Sequence, residues 1–271
     1  IDIQTGGIDH VPVHHTNEIA QSEGSFDEAE RAKGPWVNYW LHNEFLILEG
    51  GKMSKSSGNF ITLQTSLPPE RGYSLKDKGF APLDYRFFLM SGHYRKQLVF
   101  SLEALESAKS GRAALNARVA KLISKANEEE KLGLTRENFT SLLSGLALDE
   151  ESMNKFREGL ENDLATPVAM AAMQKAAAGK GGVKASVELA TLLKMDSVLS
   201  LDVIKNAFDV LDEQAKLSGA AGNASANDHA GDPEAAEIDA LVAERTAAKK
   251  AKDFAKADEI RNQLTARGVI I

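Results

Sequence analysis

Two short stretches of this chain hold the residue types that do chemistry. The first is Gly6-Gly7-Ile8-Asp9-His10-Val11-Pro12-Val13-His14-His15-Thr16-Asn17-Glu18. Gly6 and Gly7 follow the strand-like run Ile1-Asp2-Ile3, and glycine lets backbone approach a ligand closely. Asp9 can then accept hydrogen bonds from a ribose or an amine. Pro12 suits a turn or the opening of a helix. A helix over 13–22 places His14 and Glu18 at i and i+4, on one face. Imidazole and carboxylate both ligate Zn²⁺, and together they make half of a tetrahedral site. The competing reading is that His14 and His15 pack at a helix start. The second stretch is Gly50-Gly51-Lys52-Met53-Ser54-Lys55-Ser56-Ser57-Gly58-Asn59. Lysines, hydroxyls and exposed N–H groups between glycines suit a polyanion such as a phosphate chain. The glycine spacing is not that of a P-loop, and a plain basic surface turn is the alternative.

The elements that position these residues differ along the chain. Residues 1–100 contain 13 of the 17 aromatics and 4 of the 38 alanines, so two architectures share one sequence. The first part reads as mixed, with β-like runs at Phe45–Leu48 and Phe60–Leu63 among glycine turns. The second reads as helical: Leu102, Leu105, Ala108, Leu115, Val119 and Leu122 fall near helical spacing, as do Leu189, Leu192 and Leu193, then Val203, Ala207, Val210 and Leu211. Gly179 to Gly182 is a break. Residues 218–231 lack periodicity and read as a linker. A charged helix is predicted from Pro233 to Ala266, stopped at Gly268.

The 271 residues carry a net charge of −7 and no cysteine, which excludes a disulfide scaffold and a Cys-only metal site built from this chain. No apolar run approaches the roughly 18 residues of a membrane helix, so no membrane partner is expected and the cytoplasm is the expected compartment. The acidic balance argues against general nucleic-acid binding but leaves room for local basic patches. Arg112, Arg118, Lys121 and Lys125 recur at helical spacing, and Lys249, Lys250, Lys252 and Lys256 form another stripe. Either could face RNA or simply be solvated. His93-Tyr94-Arg95 reads as an RNA contact or a helix end. Trp36, Tyr39 and Trp40 read as pocket lining or core, and Phe87-Phe88 as core. The chain opens at Ile1, inside a strand-like run, so the N-terminal part of a larger protein is expected to precede it.

Lys52-Met53-Ser54-Lys55-Ser56 is letter for letter the KMSKS signature of class I aminoacyl-tRNA synthetases. The run GGIDHVPVHHTNEIAQSE resembles the zinc-site segment of cysteinyl-tRNA synthetases. Trp40-Leu41-His42, Gly58-Asn59-Phe60, Ser91-Gly92-His93-Tyr94-Arg95, Asn162-Asp163-Leu164-Ala165-Thr166-Pro167 and the tail from Lys252 to Arg261 are similar to the same family. The resemblance implies an α/β Rossmann-like remnant, the C-terminal part of a catalytic domain, followed by an all-α helical bundle. Its parts would be a catalytic segment at 1–100, an anticodon-binding bundle at 101–217, the linker at 218–231 and a helical segment at 232–271.

The family joins cysteine to ATP, releases pyrophosphate and transfers cysteine to its tRNA. The resemblance therefore implies cysteine tRNA, ATP with Mg²⁺ and L-cysteine as partners, one Zn²⁺ ion and a monomer. It makes His14 and Glu18 two of four zinc ligands, the others being cysteines upstream of residue 1. It gives Lys55 the ATP contact with Lys52 in support, and places Gly6, Gly7, Asp9, Met53, Ser54 and Ser56 around the nucleotide. The chemistry is coherent. Cysteine and serine differ mainly in one atom, which shape separates poorly, whereas zinc prefers a soft thiolate.

The departures matter too. The family's HIGH motif would lie upstream, Gln4-Thr5-Gly6-Gly7 stands where the family often has His-Gly-Gly-Gly, and Thr65 to Lys78 is longer than usual. The chain by itself is expected to be inactive. The alternatives are the cysteine ligase of mycothiol synthesis and a non-catalytic helical tRNA-binding module.

Overall fold

The computed structural model describes residues 1–49, 60–179 and 181–224, then 241–242, 244–245, 256, 259–261 and 263–264. The chain divides into two compact units, Ile1–Asp212 and Glu213–Ile271.

In the first unit β1 (Ile3–Gly7) is followed by a 3₁₀ turn at Ile8–His10, a π-helical turn at Val11–His15 and α1 (Thr16–Gly24). The helix expected over 13–22 thus begins as a wider turn. Next comes α2 (Glu28–Arg31). Its capping box has the Asp27 carboxylate accepting from Glu30 N–H at 2.8 Å and Glu30 accepting from Asp27 N–H at 3.1 Å. Then follow β2 (Tyr39–Asn43), β3 (Leu46–Leu48), β4 (Phe60–Thr62), β5 (Gly72–Ser74), α3 (Pro82–Met90) and β6 (Leu98–Phe100). Among the described residues the strands form three two-stranded parallel ribbons, β1 with β2, β3 with β6 and β4 with β5. The predicted runs at 45–48 and 60–63 are β3 and β4, each shorter by one residue.

The helical part is α4 (Leu102–Glu129), α5 (Phe139–Leu143), α6 (Glu150–Glu161), α7 (Thr166–Ala177), α8 (Ala185–Leu199) and α9 (Val203–Ala224). Ser101 caps α4, its hydroxyl accepting from Ala104 N–H at 3.1 Å. The expected break lies between α7 and α8. Helix α9 continues into the stretch expected as linker from 218, and 225–231 lie outside the described residues.

Two apolar cores meet at α3. Phe88 packs with Leu75, Phe80, Phe100 and Leu105, whereas its neighbour Phe87 joins the bundle core of Leu115, Val119, Met173, Leu189 and Leu192. Each buried phenylalanine contributes about 1.5–3 kcal/mol by leaving water. At the same junction the Asp84 carboxylate accepts from Ala81 N–H at 2.8 Å and from Arg112 Nε–H at 2.7 Å, and Arg86 Nε–H donates to Leu199 O at 2.7 Å. Arg112, a candidate RNA contact by spacing, is therefore a structural cation. Arg118, Lys121 and Lys125 remain exposed on α4.

In the second unit every described position from 241 to 264 is helical, as predicted for that segment. Lys256 Nζ lies 2.8 Å from Glu244 Oε1, and Ile260 and Leu264 are buried.

Candidate functional site

The candidate residues of the first stretch gather over one face of the β1–β2 ribbon. In its register Gln4 lies beside Trp40 and Gly6 beside His42. Side chains alternate along a strand, so Trp40 and His42 share the face that receives His15. His15 is 4% exposed, its Nδ1 lies 2.8 Å from His42 Nε2, and its ring centroid is 4.7 Å from that of Trp40. Gly6 has no alternative here. A Cβ on it would stand 2.6 Å from His15 Cε1 and 2.8 Å from His10 Nδ1.

The π-helical turn carries one more residue per turn than an α-helix would. Pro12, lacking an N–H, sits in its first turn, and Thr16 Oγ donates to Val11 O at 2.6 Å. The turn separates the two histidines. His15 points into the sheet while His14 stays exposed, its Nε2 3.3 Å from Glu18 Oε1. His14 and Glu18 thus meet on one face, and the rings of His10 and His14 lie 4.9 Å apart. Glu18 Oε2 is buried without a hydrogen-bond partner. A buried carboxylate oxygen left unpaired is costly, so it suits a cation that would ligate it. Among the described residues no three His, Cys, Asp or Glu side chains converge on one metal position. His14 and Glu18 by themselves bring two such side chains to one face.

Burial holds the His15 imidazole below its ordinary pKa, opposed by the Glu18 charge and reinforced by His42, His10 and His14. Asp9 is exposed at the end of β1, and its carboxylate covers the position a Cβ on Gly7 would take. Lys52, Met53, Ser54, Lys55 and Ser56 lie outside the described residues. The strands on either side of them, β3 and β4, are each anchored by parallel pairing, to β6 and β5.

A second cluster joins two motifs that sequence reading kept apart. Tyr94 Oη donates to Asp163 Oδ1 at 2.5 Å, and Arg95 donates from Nε to Oδ2 at 2.5 Å and from Nη2 to Oδ1 at 3.2 Å. His93 Nε2 is 3.9 Å from Asp163 Oδ2, and Thr166 Oγ donates to Gly92 O at 3.2 Å. Asp163 and Leu164 both take left-handed φ, +55° and +51°, to present that carboxylate. The Arg95 and Tyr94 hydrogen bonds hold the Asp163 carboxyl below its ordinary pKa, and the same carboxylate pushes Tyr94 and Arg95 up. Residues 93–95 lie in a turn beyond α3, which ends at Met90. The partner at 163 could have been suspected only from the two motifs' shared resemblance.

Residues 1–110 match the family model of the tRNA synthetases class I (C) catalytic domain, and residues 233–271 match that of the Cysteinyl-tRNA ligase anticodon binding domain. Over 277 residues the chain is 40% identical to the cysteine–tRNA ligase of Treponema denticola, covering 100% of this chain and 50% of the relative. The cysteine–tRNA ligase of Brachyspira hyodysenteriae is 35% identical over 274 residues, with 100% and 50% covered, and that of Solibacter usitatus 36% over 284 residues, with the same shares. The chain spans about half the length of the curated relatives it matches.

Proposed function

We propose, from the premise that the chain is a relative of the class I cysteine–tRNA ligases, that it forms the KMSKS-bearing and helical portion of such an enzyme. The reaction is ATP-dependent activation of cysteine to cysteinyl-adenylate and transfer to cysteine tRNA. The chain spans about half the length of those ligases, and by itself it is proposed to be inactive.

The observation that carries the reading is the His14–Glu18 pair, 3.3 Å apart, with a buried, unpartnered oxygen on Glu18. These two residues fit a Zn²⁺ ion and would hold it together with further donors. When bound, that ion supplies a soft acceptor that distinguishes the thiol of cysteine from the hydroxyl of serine. His15, locked against His42 and Trp40, fixes the turn from which His14 projects. Gly6 and Gly7 let the His15, His10 and Asp9 side chains close against the strand end beside the nucleotide, and Asp9 is the acceptor there. Lys55, with Lys52 in support, meets the charge that builds on the phosphates as pyrophosphate leaves, and Met53, Ser54 and Ser56 line the same loop. Mg²⁺ accompanies the ATP.

The proposed organisation is a catalytic segment at 1–100, a tRNA-binding bundle at 101–217, a linker at 218–231 and a helical segment at 232–271, in a monomeric cytoplasmic enzyme. Among the described residues no helix is long and apolar enough to cross a membrane.

The test is a covalent fusion of this chain to the half of the Treponema denticola ligase that it does not match. The fusion should charge cysteine tRNA, and Lys55→Ala should lower the ATP–pyrophosphate exchange rate about 10²–10³-fold. Charging of other tRNAs with equal efficiency, or a fusion that binds Zn²⁺ and folds yet never activates cysteine, refutes the reading.

A further inference from the structure

The helical bundle holds a cavity whose lining includes none of the residues placed around zinc or nucleotide. Its volume is about 620 Å³, and its walls are α5, the turn after it, α8 and the first turn of α9. Small-molecule sites typically fall at roughly 300–1,000 Å³. Leu143 and Ile204, 1% and 2% exposed, belong to the lining, and Phe139, Leu146, Leu148 and Leu193 are half-buried there. Such a wall favours a guest with an apolar body.

The polar groups of the lining narrow the guest further. Ser144 and Ser197 have committed their hydroxyl protons, to Thr140 O at 2.5 Å and Lys194 O at 2.6 Å. Asp196 is committed too. It accepts from Leu201 N–H at 2.7 Å and from Val203 N–H at 3.0 Å, and burial pushes its pKa up. Lys194 and Lys205 differ: both are exposed in the lining, and among the described residues neither ammonium has a hydrogen-bond or ion-pair partner. Lys205 also stands in the first turn of the 22-residue α9, at the positive end of its dipole. Asp202, exposed beside them, offsets one of these charges. The turn that forms this wall is strained. Ser200 and Asp202 take left-handed φ, +53° and +55°, a conformation that is costly outside glycine and gathers at ligand sites.

We infer that this cavity is a binding site for a small amphipathic anion, a carboxylate on an apolar body. The body lies against Phe139, Leu146, Leu148 and Leu193, and the carboxylate meets Lys194 and Lys205. Charge complementarity selects this guest. A neutral apolar molecule gains nothing from the two unpaired ammoniums, and a small polar anion gains nothing from the leucines, whereas a charge-assisted hydrogen bond is about twice as strong as a neutral one.

The experiment titrates octanoate into the full 271-residue chain and follows binding by calorimetry and by the shift of the thermal unfolding transition. The expected result is saturable 1:1 binding with a Kd of about 1 mM or tighter. Octanol, which lacks the charge, and acetate, which lacks the body, should each bind at least about tenfold more weakly. Lys194→Gln with Lys205→Gln should weaken octanoate at least about tenfold and leave octanol unchanged. Ser197→Trp places a large ring at an exposed position of the lining and should abolish binding, while the unfolding transition of the ligand-free chain stays in place. Lys33→Gln, exposed and outside the lining, is the control and should leave binding unchanged. The inference is overturned by an absence of saturable binding, by binding indifferent to the lysine pair or to Ser197→Trp, or by octanol or acetate binding as tightly as octanoate. Self-association of the chain that Ser197→Trp abolishes, seen by sedimentation velocity, also overturns it, since a second copy would then fill the site.

Discussion

Removing the charge on Asp84 tests whether α3 and the helical bundle are held by one buried ion pair. Asp84 is 1% exposed and bonds both Ala81 N–H and Arg112, whose side chain is 17% exposed. Breaking a buried pair from one side costs about 3–5 kcal/mol. The two sides should not cost the same. Asp84→Asn keeps an acceptor for one donor and leaves a cation that reaches some water, so about 3 kcal/mol is expected. Arg112→Met leaves the enclosed carboxylate alone and belongs near 5 kcal/mol. At about 2–4 °C per kcal/mol for a unit of this size, the first lowers Tm by about 6–12 °C. The assay is urea unfolding followed by circular dichroism, read as a change in midpoint at constant m-value. The double variant should recover about 1–3 kcal/mol of the summed single costs. Additivity within about 0.5 kcal/mol, or an Arg112→Met variant within 1 kcal/mol of the parent, would show that the pair carries no coupling.

Three further outcomes are expected. Gly6→Ala drives a methyl into His15 and His10, and should cost about 1–3 kcal/mol and shift the His15 and His42 ring proton resonances in NMR spectra; unchanged resonances would mean the histidines are not seated against the strand. Gly159→Ala puts a Cβ 2.9 Å from Ala169 N and 3.1 Å from Val168 Cβ where α6 meets α7, and thermal unfolding should show a loss of about 1–3 kcal/mol. Asp163 has a folded pKa below its unfolded one, so its contribution is present above about pH 4 and fades as pH falls through the folded value. The stability gap between parent and Asp163→Asn should therefore be full at neutral pH and shrink in acid, and a gap independent of pH would rule the carboxylate cluster out.

Local pattern carried the elements, and distance along the chain hid their partners. The strands near 46 and 60 were readable from apolar runs next to glycine, and the helices from their period, whereas β1 begins at Ile3 and carries Gly6 and Gly7 inside it where a turn was expected. Parallel pairing joins residues far apart, such as Leu46 with Leu98, and nothing in a short window signals it. The same holds for Arg112, whose spacing from Arg118 suggested a basic face while its partner sits 28 positions earlier. His14 and Glu18 were legible as a pair because four-residue spacing survives when a wider turn precedes the helix. The role of His15 was not, since which of two adjacent imidazoles enters the sheet depends on the turn that separates them. The Asp163 cluster needed a tertiary contact across 68 and 69 residues, which composition does not encode.

At 28 residues, α4 is a rod of about 42 Å. More than a third of the way along it Arg112 is clamped to α3, and just past its end Glu130 accepts from Ser186 N–H and Oγ–H at 3.1 and 2.5 Å. A tilt of about 5° at the first clamp carries the far end, about 27 Å away, through roughly 2 Å. The helix is thus a lever: a small adjustment of α3 would be carried along it to where α8 begins.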